Sequence, residues 1–118
     1  MSENIEKLKA ENLDEAEINE EENEFLVVFK KPFKFEGKEF TEIDLSGIED
    51  MTGDQLIAAH RLFVKNKGVS LTPELDPAFG AIVASMVTDK PIEFFHALPA
   101  NELGKVKRVV SGFFFSED

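Results

Sequence analysis

All twelve aromatic side chains of this 118-residue chain are phenylalanine, and none lies before residue 25. That one-sided placement constrains the fold more than any other feature. Phenylalanine has no hydroxyl or indole N–H, so it stabilises a structure only by burying its ring or packing it on another surface. The core must therefore come from residues 25–118. The first 24 residues have the opposite chemistry: ten acids and two lysines, a net of -8, against 14 acids and 11 bases in the rest. Their apolar residues (Ile5, Leu8, Leu13, Ile18) keep no helical repeat. Such a composition cannot offset an ordering cost of roughly 1–2 kcal/mol per residue. Residues 1–24 are expected to form a disordered acidic tail, either a solubility device or a docking arm. Residues 25–118 are expected to form a single α+β domain.

Within that domain the apolar period changes from two to that of a helix. Phe25, Val27 and Phe29 alternate with Leu26 and Val28, and Phe33 and Phe35 resume the alternation after Pro32. Glu36-Gly37 supplies a turn, and Lys38–Leu45 reads as the return strand. Pro32 lacks an amide donor and belongs at an edge or a bulge. This predicts an N-terminal antiparallel hairpin. A capping box at Thr52–Gln55 then opens a helix, with Met51 and Leu56 at the staple positions. Leu56, Ala59, His60, Phe63 and Val64 recur on one face, and Gly68 ends the pattern. Thr72-Pro73 and Asp76-Pro77 are both helix openings. Phe79, Ile82, Val83, Met86 and Val87 form the next apolar face, and Pro91–Leu98 a short helical turn. A last helix, carrying Leu103, Val106, Val110, Phe113 and Phe114, should run from about Asn101 towards Phe114. The expected fold is an antiparallel β-hairpin followed by three to four packed α-helices.

The chemistry is sparse. Without cysteine there is no disulfide, CxxC redox site or thiolate-held zinc, which suits a reducing cytoplasm. A formal net charge of -11 argues against nucleic-acid binding. The longest apolar run, Phe79–Val87, is too short to span a membrane, and an acidic N-terminus is unlike a signal peptide. His60 and His96 read as structural residues, with no His-x-x-x-His spacing. Ser46, Ser85 and Ser111 have no nucleophile-elbow context. The acidic loop Asp44–Asp54 fails as a calcium site because Ile48 occupies a ligand slot. No phosphate-cradling glycine motif occurs. No catalytic residue, cofactor or metal is expected. One feature is left over: Phe113-Phe114-Phe115 point three ways from a helix that can bury one stripe. With Val110, these residues are the expected partner contacts, and weak self-association there is a further expectation.

Three segments together resemble a family of bacteriophage tail assembly chaperones, of the type found in Mu-like tailed phages. They are KPFKFEGKEFTEIDL (Lys31–Leu45), MTGDQLIAAHRLF (Met51–Phe63) and KPIEFFHALPANELGKVKRVVSGFF (Lys90–Phe114). Their order and spacing carry the resemblance, over about residues 30–114. The family often has an aspartate after its leucine-proline, where Asn101 and Glu102 stand here. The resemblance implies a non-enzymatic protein that keeps the tape measure protein soluble while tail tube subunits polymerise around it. Its implied partners are the tape measure protein and, in second place, the tail tube protein, with no nucleic acid or membrane involved. It implies work in the cytoplasm of the bacterial host and absence from the mature virion. The competing expectations are a structural head–tail connector or tail terminator, and an acidic nucleic-acid mimic.

Overall fold

The two strands meet where the glycine signal places them. In the computed structural model, which describes residues 24–115, β1 (Leu26–Phe35) pairs antiparallel with β2 (Lys38–Asp44). Glu36 and Gly37 both take positive φ, 52° and 81°, which matches the right-handed twist of the flanking strands. Two stretches of pairing are in register, Leu26↔Asp44 to Val28↔Glu42 and Phe33↔Phe40 to Phe35↔Lys38. Between them Phe29–Pro32 faces only Thr41, a bulge that accommodates Pro32 where the ladder asks for no amide. Val27, Phe29 and Ile43 are buried on the inner face. The expected acidic tail lies outside the described residues, apart from Glu24.

After β2 the chain buries Leu45 and Ile48 completely, the latter from a 3-10 turn at Ser46–Asp50. That turn explains why Ile48 interrupts the acidic loop. The capping box forms as read: Gln55 N–H donates to Thr52 Oγ1 at 3.2 Å, and Thr52 N–H donates to Gln55 Oε1 at 2.9 Å. It opens α1 (Gly53–Lys67), with Met51 and Leu56 packed against the core and Gly68 at the end. Thr72-Pro73 yields only a 3-10 turn, Pro73–Leu75, because Asp76 returns to an extended backbone. Asp76 instead caps α2 (Pro77–Val87), accepting from the Ala78 amide at 2.8 Å. α3 (Ile92–Ala97) and α4 (Ala100–Phe114) complete the α+β fold, and α4 reaches Phe114 as expected.

α2 is the central element. Its residues Phe79–Ala84 are all buried, as a helix packed on several sides requires. It touches α1, α3 and α4. Phe94 on α3 joins this helical layer to the hairpin. Its ring is fully buried and lies 5.0–5.3 Å from those of Phe33, Phe35, Phe40 and Phe95, all edge-on. Edge-on contacts match the negative ring face to a positive ring edge and add to the area term. The 3-10 turn approaches the end of α2 closely: a Cβ on Gly47 would meet the Val87 carbonyl oxygen at 2.6 Å.

Two substitutions test this architecture by urea unfolding. Phe94→Ala should cost about 3–5 kcal/mol, because the cavity lies between two layers that cannot both collapse into it. Gly47→Ala should cost about 1–3 kcal/mol, since the backbone oxygen it meets must move.

Candidate partner-binding surface

The aromatic end of α4 resolves as three directions. Phe113 packs edge-on to Phe25 at 6.2 Å, tying the helix to the start of β1. Phe114 packs edge-on to Phe113 at 5.3 Å and reaches Phe79 of α2 at 6.1 Å. Phe115 follows the helix and is 59% exposed. Val110 is fully buried and belongs to the core, because it sits one turn inside the stripe that faces α2. Of the four expected contact residues, Phe115 therefore projects, Phe113 and Phe114 show partial faces, and Val110 is excluded from the surface. Phe113 also lines a groove of about 830 Å³ between the start of β1 and α4, with Phe25, Val28, Lys105, Arg108 and Val109.

A larger apolar exposure lies on α1. Ala59 and Phe63 are buried against α2, but Val64, expected on the same face, is exposed. The reason is that α1 leans mainly on α2, so its inward stripe is narrow and the positions beside it reach solvent. Ile57, Leu62 and Val64 are each about half-exposed. A shallow groove of about 530 Å³ runs along the helix past Leu56, Ile57, His60, Arg61, Val64 and Lys65. Just beyond α1, Val69 is 88% exposed and Leu71 98% exposed. Leu75 is half-exposed on the turn that α4 packs against. Single exposed apolar residues are ordinary, as Leu62 on another side of the helix is, whereas Ile57 and Val64 stand side by side on one face, the kind of exposure that marks a contact.

The ionisable groups do structural work. His60 is half-buried, with its ring 4.8 Å from that of Phe79 and Nε2 3.4 Å from Glu74. His96 is exposed. It stands three residues after Glu93, also exposed, but among the described residues no group of three or more His, Cys, Asp or Glu gathers closely enough to hold a metal. Among the same residues no helix is long and apolar enough to cross a membrane.

Glu102 is the residue that sequence reasoning missed. It is 3% exposed, in the first turn of α4. Its Oε2 accepts the Lys30 amide at 2.7 Å, inside the bulge of β1. The Lys105 ammonium lies 3.0 Å from Oε1, which accepts no well-aligned hydrogen bond, and donates to the Val28 carbonyl at 2.9 Å. Glu102 and Lys105 thus satisfy backbone groups on the edge of β1 that faces away from β2. The signal available in the sequence was a carboxylate one turn ahead of a lysine behind Leu98-Pro99; what it would meet was not visible.

No family model, curated protein or solved structure matches the chain.

Burial pushes the Glu102 carboxyl up and is the largest single influence on it. The Lys30 amide, the Lys105 ammonium and the Lys30 charge together outweigh burial and hold it below the ordinary 4.5. A carboxylate lowered on folding contributes stability above its unfolded value and loses it as pH falls through the folded value. Glu102→Gln should therefore be less stable than the parent at neutral pH by about 1–3 kcal/mol. The gap should narrow below pH 4.5, where the parent carboxylate takes up its proton. Urea unfolding of both proteins across that pH range checks this.

Proposed function

We propose that this domain is a tail assembly chaperone of a tailed bacteriophage. In this reading it binds the tape measure protein through apolar side chains, keeps it soluble while the tail tube grows around it, and catalyses nothing. It acts in the host cytoplasm and leaves before the virion is complete. The single observation that carries the reading is the unpartnered apolar pair Ile57 and Val64 on one face of α1, with Val69 and Leu71 exposed just beyond the helix. The fold buries Phe63, Phe79, Phe94 and Phe95 yet gives Ile57 and Val64 no partner. A tape measure protein, as a long helical chain with apolar faces, is the kind of partner that lays a helix into such a groove. Many copies along one filament would hold it by repeated weak contacts. The resemblance of three segments in order supplies the identity of the partner; the exposed pair supplies the means.

Co-expression with the tape measure protein encoded beside this chain should raise its soluble yield several-fold. The double variant Val64→Asp with Leu71→Asp should return that yield to the level without chaperone while its own unfolding midpoint stays near the parent's, because both side chains already face water. Phe115→Ala should have the smaller effect. An unchanged yield with the parent protein, or finding the chain in purified particles, would overturn the reading.

A further inference from the structure

The α1 groove is apolar along its floor, yet its charged groups are all of one sign. Arg61 and Lys65 stand on it at i and i+4, along one side of the Ile57–Val64 pair, and no carboxylate lines it. Among the described residues neither cation is paired with an acid. Glu74, which approaches the groove residue His60, is engaged with that imidazole at 3.4 Å. This is a local reversal of the molecule's charge: a cationic apolar stripe on a chain whose formal net charge is -11.

We propose that the α1 groove binds an amphipathic helix whose apolar stripe is bordered by carboxylates. The proposal rests on the reading of the α1 face as the holding surface and names the class of helix it holds. Two observations select this occupant. All the lining residues, from Leu56 to Lys65, lie on one face of α1, so a second helix laid along that face brings its i, i+3, i+4 and i+7 side chains beside Ile57 and Val64. The spacing of Arg61 and Lys65 places both ammonium and guanidinium groups along one border of that helix, where carboxylates gain and ammonium groups are repelled. Apolar contact then supplies most of the affinity, and the charge border supplies selection and register. A helix bordered by lysine would set like charges against Arg61 and Lys65, and a purely apolar one would leave both cations partly desolvated without partners.

Three labelled synthetic helices of about 18 residues, long enough to be helical on the groove, provide the test. They share one leucine stripe and differ only in glutamate, glutamine or lysine borders, and each is titrated against the full-length chain by fluorescence anisotropy. The glutamate-bordered helix should bind about tenfold more tightly than the lysine-bordered one at low salt, and the ratio should shrink as salt rises. Arg61→Glu with Lys65→Glu should reverse the preference, and Val64→Asp should weaken all three helices. Equal binding of the three, or a preference for lysine borders, would overturn the proposal. So would a concentration-dependent dimer abolished by Val64→Asp, which assigns the groove to a second copy. Carbodiimide coupling of Lys65 to an acid within residues 1–23 of the same chain would likewise assign it to the chain's own N-terminal segment. Failure here with the tape measure yield still raised removes the acidic-helix inference alone. Selective helix binding with no rise in yield removes the chaperone reading and leaves this one standing.

Discussion

The contact between Glu102 and the bulge of β1 is what the remainder of the structure depends on. A two-stranded hairpin is at best marginal on its own in water and needs a layer to lie on. Here the difficulty is sharper, because Phe29–Pro32 has lost its partners in β2. α4 instead takes hold of the outer edge of β1, with Glu102 at the Lys30 amide and Lys105 at the Val28 carbonyl. A charged acceptor makes a stronger hydrogen bond than a neutral one, which suits a contact joining two layers. The cost of burying that carboxylate is offset only because the amide and the ammonium both meet it.

Around this clamp, phenylalanine does the filling. Phe94 ties the hairpin to α3, Phe79 ties α1 and the end of α4 to α2, and Phe25 meets Phe113. The rings meet mostly edge-on, so each contact is directional as well as apolar. α2, buried along Phe79–Ala84, is the axis of this packing. α1 is the peripheral member, held mainly from one side, and that position leaves Ile57 and Val64 in solvent. The proposed binding surface is thus a consequence of where the helix sits in the fold. The aromatic end of α4, by contrast, spends two of its three rings on the fold itself.

Hairpin, helix order and the α1 cap were legible because they rest on local rules. Gly37 and Pro32 act on their own backbone, and the Thr52–Gln55 box closes within four residues. Legibility failed wherever the deciding contact was distant in sequence. Val64 repeats with Phe63 and Ala59 closely enough to look buried, but burial depends on how many neighbours a helix has. Val110 is one of several apolar residues near the aromatic end, and only the approach of α2 separates it from Phe115. Glu102 looks like an ordinary acid in a first helical turn, and its partner is 72 residues earlier.

By itself the sequence determined the segregation of charge from phenylalanine, the change from strand to helix period, and the points where each element starts and stops. These follow from side-chain chemistry acting over a few residues. Tertiary structure decided which stripe of α1 stays in water, which of the three terminal rings projects, and why one carboxylate is buried. Those outcomes depend on what stands opposite each side chain after the layers close, and no local pattern encodes the identity of a neighbour dozens of residues away.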